Sequence, residues 1–144
     1  MALEWLRSEE ASKHLPPNVN LSRVFLSGDS AGGNIAHHVA LRAAGKDLSP
    51  ISLKGAVLIQ PFFGGEERTP AELRLKNVPI VSVQSLDWYW KAYLPPGANR
   101  DHPACNIFGP NSQDLSNTPF PPVLVIIGGL DILQDWEVSL PSSG

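Results

Sequence analysis

Three short, mostly apolar runs divide the chain, and each one is followed directly by glycine or proline. They cover residues 24–27, 53–60 and 123–127. Apolar runs of this length with a turn signal at the end are typical of buried β-strands. Residues 53–60 are mostly apolar and contain a single glycine, so we expect helices to cover both faces of that strand.

Helical spacing of apolar residues predicts further segments around these strands. One helix is expected over residues 31–44, where Gly45 supplies a C-terminal stop. An opening helix is expected to end near residues 14–15, before two prolines. A short helix is also expected from Pro70, because proline is well suited to the first turn of a helix.

A further amphipathic helix is predicted from position 86, with Ser82 or Ser85 as its cap. Its apolar residues recur at i, i+3, i+4, i+7 and i+8, and they are Leu86, Tyr89, Trp90, Tyr93 and Leu94. An aromatic stripe at helical spacing is more often core than ligand site, so we interpret Trp90 and Tyr93 as core residues. The long aperiodic segment 95–122 that follows is expected to be packed irregular structure or functional.

The order of these elements indicates parallel strands joined by helical crossovers, and therefore an α/β protein with a doubly wound parallel sheet and flanking helices. Functional side chains in such sheets lie just past the carboxyl ends of strands. Ser30 follows the first predicted strand and Asp131 follows the third. Both residues are therefore candidates for one site.

Residues 28–32, Gly-Asp-Ser-Ala-Gly, connect a predicted strand to a predicted helix. Gly28-x-Ser30-x-Gly32 in this setting is typical of a nucleophile elbow, a turn so tight that glycine is expected two residues before and two after the serine. A glycine-rich turn that binds a phosphate or nothing is the alternative, but the G-x-G-x-x-G fingerprint and the P-loop lysine are absent. Ser30 is predicted to be a nucleophile, and the backbone N–H of Ala31 is predicted to be one oxyanion donor.

A serine nucleophile needs a histidine base, and the histidine needs a carboxylate that orients it. Asp131 is the predicted acid. Asp135 is the runner-up, for which a solvated or capping role is favoured, and Asp29 adjoins Ser30 too closely to orient a distant base. In folds with a nucleophile elbow, the three catalytic residues follow one another along the chain in the order serine, acid, histidine. All four histidines precede Asp131, and we interpret them as helix or loop residues: His14, His37, His38 and His102.

Composition narrows the expected partners. The 144 residues carry 11 Lys and Arg against 14 Asp and Glu, a formal net charge of −3 with no basic run, which favours a small-molecule partner over nucleic acid or a membrane surface. Cys105 is the only cysteine, so an internal disulfide is excluded, and we interpret it as an inert packed thiol. Without a signal-peptide pattern or an 18-residue apolar stretch, we expect a soluble cytoplasmic protein whose oligomeric state the sequence does not predict.

Three motifs in order carry a family resemblance: GDSAGGN at 28–34, DHPACN at 101–106 and GLDILQDW at 129–136. They resemble the plant carboxylesterases of the hormone-sensitive-lipase branch of α/β-hydrolases, to which the gibberellin receptors are close. The resemblance implies a partial α/β-hydrolase fold, Asp131 as the triad acid, cleavage of small carboxylic esters through an acyl-serine, and no metal or organic cofactor. It also implies that the helix from residue 86 lies on the cap side of the pocket, so a substrate contact from one of its aromatics stays open.

The chain departs from this family at both ends. No His-Gly-Gly-Gly-type loop, the source of the second oxyanion donor, precedes Ser30. Pro141 and Ser-Ser-Gly follow where a full helix is expected. We therefore interpret residues 1–138 as a partial α/β-hydrolase domain and 139–144 as a non-family tail, and we expect this truncated chain to be inactive by itself.

Binding of a small molecule without turnover, as in gibberellin receptors, is the alternative function. The resemblance implies that these receptors carry a second serine where this chain has Ala31, and an acidic residue plus arginine where it has Ser85 and Leu86. Arginine binds a carboxylate ligand through two hydrogen bonds, which leucine cannot do. Both differences favour an esterase.

Overall fold

The computed structural model describes residues 2–76, 78, 81–115 and 118–140. These ranges contain short and long helices around three strands. In chain order the elements are α1 (Ala2–Leu6), α2 (Glu9–Ser12), β1 (Val24–Asp29), α3 (Ala31–Ala43), β2 (Leu53–Ile59), α4 (Pro70–Arg74), α5 (Val83–Tyr93), β3 (Val123–Ile126) and α6 (Gln134–Val138).

The three strands form one parallel sheet in the order β1–β2–β3. Leu26 of β1 pairs with Ala56 of β2, and Leu58 of β2 pairs with Val125 of β3. Parallel neighbours need crossover connections, and α3 is part of the one between β1 and β2. The predicted parallel α/β sheet is confirmed, and the strand boundaries differ from prediction by at most two residues.

Only one face of this sheet is covered in the described part of the chain. On that face Ala36 of α3 packs with Leu58 and Phe63 in the main core. On the opposite face Phe25 and Leu124 are each 59% exposed. The expectation that helices cover both faces is therefore not met among the described residues. Exposure alternates along β1 and β3 because successive side chains of a strand point to opposite faces.

The opening helix is two short helices instead of one. The hydroxyl of Ser8 accepts a hydrogen bond from the Ala11 N–H at 3.2 Å, and this cap starts α2 as a separate helix. Leu3 of α1 packs with Ala43 and Leu48, so α1 contacts the end of α3. The prediction of a single helix that ends near residue 14 is wrong because the serine cap interrupts it.

Capping boxes start both helices of the excursion between β2 and β3. Thr69 caps α4, with Pro70 in its first turn, as predicted. Ser82 caps α5 and exchanges hydrogen bonds with Ser85, so Ser82 is the cap and Ser85 is its partner. This box places the start of α5 at Val83, three residues before the apolar stripe begins.

The aromatic stripe of α5 divides into a buried row and an exposed row. Leu86, Trp90 and Leu94 are buried, and Trp90 is only 4% exposed. Tyr89 and Tyr93 are exposed, Tyr93 by 71%. The interpretation of Tyr93 as a core residue is therefore wrong: residues four apart on a helix share a face more closely than residues three apart, and only one of the two rows reaches the core.

The segment 95–122 is packed irregular structure in its described parts. Asn106 is buried, donates from Nδ2 to the Asp101 carboxylate at 2.9 Å and accepts from the Phe108 N–H at 3.1 Å. At the other end of the chain, Leu140 packs against the core, and residues 141–144 lie outside the described residues. The boundary between residues 138 and 139 stays a prediction.

Candidate active site

Ser30 lies in a tight turn between β1 and α3. Its backbone has φ 53° and ψ −117°. The positive φ is a left-handed value that residues other than glycine seldom adopt. Four backbone hydrogen bonds hold this conformation: Ser30 N–H donates to Ile59 O at 2.9 Å, and Ser30 O accepts from Phe62 N–H and Gly33 N–H, each at 3.0 Å, and from Asn34 N–H at 3.2 Å. The predicted strand, turn and helix are confirmed, and the strain is concentrated at the candidate nucleophile.

The glycine requirement of this turn differs from the prediction. A Cβ at Gly28 would overlap the carbonyl oxygen of Gly32, so residue 28 has no room for a side chain. A Cβ at Gly33 would lie 2.9 Å from the Cβ of Pro61. A Cβ at Gly32 would meet no atom within 4 Å. Gly28 and Gly33 are thus required by close approach of backbone, whereas Gly32 is not.

The Ser30 hydroxyl is exposed and makes no capping bond to the helix that follows it. Ala31 is the first residue of α3, and the first N–H groups of a helix have no acceptor within the helix. The positive end of the helix dipole therefore lies beside the hydroxyl. This arrangement can stabilise an oxyanion formed at Ser30, and the roles of Ser30 and Ala31 stay predictions.

Asp131 follows β3 and is held at both carboxylate oxygens. Oδ1 accepts from the Leu133 N–H at 2.8 Å, and Oδ2 accepts from Nε2 of Gln60 at 2.9 Å. The Asp131 N–H donates to Gly128 O at 3.0 Å and closes the turn. Asp131 and Ser30 line the same cleft, although 101 positions separate them in sequence. The carboxylate is therefore oriented by the protein and open to a further partner.

The two other carboxylates considered from sequence are placed differently. Asp135 accepts from the Ala71 N–H at 2.7 Å in the first turn of α4, which is the capping role expected of it. Asp29 is exposed and lines the cleft next to Ser30. Asp131 is therefore better placed than Asp135 to orient a base in the cleft.

None of the four histidines, all within the described ranges, lines the cleft. His37 is buried against Phe63 and Phe120, and burial, followed by the neighbouring His38, lowers its pKa to about 4. His102 accepts through Nδ1 from the Ala104 N–H at 3.1 Å inside the packed loop. These contacts agree with helix and loop roles for the histidines.

The cleft between the carboxyl ends of the strands and α5 has a volume of about 820 Å³. The polar side chains that line it are Ser30, Asp131, Asp29, Asn34 and Gln60. Its apolar walls come from α5 and from the segments after β2, before α5 and after β3, and they include Phe62, Val78, Val81, Tyr89, Trp90, Tyr93, Leu130 and Ile132. Phe62 stacks on Trp90 with ring centroids 5.0 Å apart, so the aromatic wall is continuous.

No role is assigned from the sequence to three residues at or beside the site. Gln60 holds Asp131 across 71 positions. Asn34 donates from Nδ2 to Phe62 O and Ala104 O, each at 2.9 Å, and ties α3 to two loops. Glu137 is 1% exposed, and burial, followed by the charge of Asp131, raises its pKa to about 8. In each case the decisive partner is remote in sequence or is the burial itself.

Other kinds of site find little support in the described ranges. No group of three His, Cys, Asp or Glu side chains within them could hold a metal ion. Cys105 is fully buried, and burial raises the pKa of its thiol, as expected of an inert packed cysteine. No helix in the same ranges is long and apolar enough to cross a membrane.

Comparison with known proteins identifies the fold family. The family profile of the α/β-hydrolase fold matches residues 1–142, so the chain belongs to the α/β-hydrolase family. Among solved structures, an esterase from Pyrobaculum calidifontis superposes with a TM-score of 0.73 over 95% of this chain and 42% of its own, at 27% identity. The fold expected from the sequence is confirmed.

Relatives at higher identity include both receptors and esterases. The gibberellin receptor GID1C of Arabidopsis thaliana is 48% identical over 93% of this chain and 36% of its own length. Probable carboxylesterase 6 of the same plant is 38% identical over 96% of this chain and 41% of its own length. The chain thus spans about two fifths of each relative, and an esterase-type α/β-hydrolase lineage is shown.

Proposed function

We propose that the chain is part of a serine carboxylesterase that cleaves small carboxylic esters through an acyl-enzyme on Ser30. The observation that carries the proposal is the strained turn at Ser30, which places at a helix N-terminus, on the wall of the cleft, a hydroxyl with no hydrogen-bond partner among the described residues. A structural serine has no need of this conformation, whereas a nucleophile does.

Each of the three candidate catalytic residues, Ser30, Ala31 and Asp131, has one role in the proposed reaction. The Ser30 oxygen attacks the ester carbonyl and loses its proton to a histidine, and the Ala31 N–H stabilises the resulting oxyanion. The ester C–O bond then breaks, and the histidine gives the proton to the departing alcohol. Water attacks the acyl-serine in the same way and releases the carboxylic acid and free Ser30. Asp131 orients that histidine and stabilises its cation. Since none of the four histidines lines the cleft, the base is expected from residues outside these 144. The second oxyanion donor is also expected from outside them. This chain alone is therefore expected to be inactive.

The cleft favours an uncharged substrate with an apolar or aromatic group. Its walls are aromatic and aliphatic, and the only charged residues among the described lining are Asp29 and Asp131. A ligand carboxylate would meet two like charges and no Lys or Arg. The ligand carboxylate would be repelled by the two aspartates, and no opposite charge would offset the cost of removing it from water. Neutral esters are therefore the proposed substrate class.

Receptor-like binding is the second candidate, because identity to the gibberellin receptor is ten percentage points higher than to the carboxylesterase. Two features of this chain oppose it. Ala31 offers no side-chain hydroxyl to a ligand. Leu86 packs with Ile132 and Leu133 and is not part of the described lining, so no cation replaces the arginine expected of receptors.

Labelling and turnover in the longest natural protein that contains these residues test the proposal. A fluorophosphonate probe is expected to label Ser30, and Ser30→Ala is expected to abolish both labelling and hydrolysis of p-nitrophenyl acetate. Ser27→Ala is the matched control, because Ser27 lies on β1 outside the cleft. Full activity in Ser30→Ala would overturn the assignment of the nucleophile, and an unlabelled wild type that binds an acidic ligand would favour the receptor.

The remaining expectations stay predictions. A cytoplasmic location, the absence of a cofactor and the lack of nucleic-acid or membrane partners rest on composition and family resemblance alone.

A further inference from the structure

Gln60 lies at the carboxyl end of β2 in a strained conformation. Its φ is 42°, and besides Ser30 it is the only residue other than glycine with a positive φ in the described ranges. Its N–H donates to Ile126 O at 2.8 Å, which continues the β2–β3 ladder. A glycine would adopt this conformation without strain, so the side chain at position 60 offsets a cost.

That side chain reaches Asp131. Nε2 of Gln60 donates to Oδ2 of Asp131 at 2.9 Å, and because an ionised carboxylate only accepts hydrogen bonds, the amide nitrogen must face it. A Cβ at Gly128 would overlap this Nε2 atom. The glycine at position 128 therefore leaves the space through which Gln60 reaches the carboxylate.

The end of β2 contacts both halves of the candidate site. Ile59 O accepts from the Ser30 N–H at 2.9 Å, and the Phe62 N–H donates to Ser30 O at 3.0 Å. Between these two contacts, the Gln60 side chain holds Asp131. Residues 59–62 thus form a hydrogen-bonded connection between the candidate nucleophile and the candidate acid.

We propose that Gln60 is a positioning residue that fixes the Asp131 carboxylate in register with Ser30. The inference rests on the proposed esterase function. An amide suits this role because it fills one acceptor site of Asp131 without adding a positive charge. Lys or Arg at the same place would pair with Asp131 and weaken its support of the imidazolium that forms during catalysis.

Gln60→Met in the longest natural protein that contains the chain is the first test, since methionine keeps length and flexibility and removes the donor. We expect kcat for p-nitrophenyl acetate to fall about tenfold or more, with KM within about twofold, because the lost hydrogen bond is to the acid and not to substrate. Gln84→Met is the matched control: Gln84 is exposed on α5 outside the cleft, and both constants should be unchanged.

A double-mutant cycle separates positioning from folding. In an Asp131→Asn background, Gln60→Met is expected to change kcat by less than about twofold, because no carboxylate remains to be oriented. A purely structural Gln60 would cost the same in both backgrounds. Gly128→Ala provides a second variant with Gln60 intact: its methyl group displaces the amide, so kcat should fall in the same direction.

The outcomes divide cleanly between the two proposals. If Asp131→Asn lowers kcat but Gln60→Met and Gly128→Ala do not, the positioning role of Gln60 is wrong and the esterase proposal stands. If the wild-type protein shows neither Ser30-dependent hydrolysis nor labelling, both are wrong. Thermal melting of each variant confirms that the protein assayed is folded.

Discussion

Glu137 should make the stability of this protein depend on pH in a direction unusual for a carboxyl group. The residue is only 1% exposed. Burial, followed by the charge of Asp131, raises its pKa from 4.5 to about 8. The folded protein therefore retains a proton that the unfolded chain releases.

The sign and the size follow from this difference. Below pH 4.5 both states hold the proton, and Glu137 contributes no pH dependence. Between pH 4.5 and 8 only the folded state holds it, so stability falls as pH rises and levels off above pH 8. Each pH unit in this window corresponds to about 1.4 kcal/mol, so the loss at pH 7 is of the order of 3 kcal/mol.

Glu137→Gln removes the titration and keeps the shape of the side chain. Urea denaturation of wild type and variant from pH 4.5 to 8 is expected to show a difference in unfolding free energy that grows in favour of the variant by about 3 kcal/mol between pH 4.5 and 7. Glu67→Gln, at an exposed position, is the control for the loss of a charge. A Glu137→Gln curve parallel to wild type across this range would refute the reasoning.

Three further predictions concern the site. Asp131→Asn should lower kcat by about 10³–10⁴-fold in a protein that still melts cooperatively, whereas an unchanged kcat would exclude Asp131 as the acid. Gly28→Ala should cost about 3 kcal/mol or more, because its Cβ overlaps Gly32 O, while Gly32→Ala should stay within about 1 kcal/mol; equal costs would contradict this account of the turn. Finally, tryptophan fluorescence should show that 1-naphthaleneacetamide binds at least about tenfold more tightly than 1-naphthaleneacetate, and tighter binding of the acid would favour the receptor.

The sequence predicts the elements around Ser30 well because their signals are local. The apolar run 24–27, the glycine after it and the helical spacing from Ile35 all lie within about twenty residues, so each constrains the next. The opening helix was harder to predict, because one serine hydroxyl divides it and a periodicity count does not detect such a cap. The prediction that Tyr93 is a core residue was wrong for a related reason. A stripe at helical spacing does not reveal which of its two rows packs against the core.

Gln60 shows most clearly why part of the site lies beyond sequence reasoning. Glutamine after a strand and before proline has no characteristic spacing, and nothing nearby in sequence requires a donor there. Its role depends on a carboxylate 71 positions later, on a glycine that leaves it room and on a backbone angle that no composition predicts. The contact between Ala71 and Asp135, 64 positions apart, has the same character. A motif identifies the residues whose chemical type the reaction requires. The residues that hold them in place depend on which strand ends the fold brings close together, and a local sequence pattern does not contain that information.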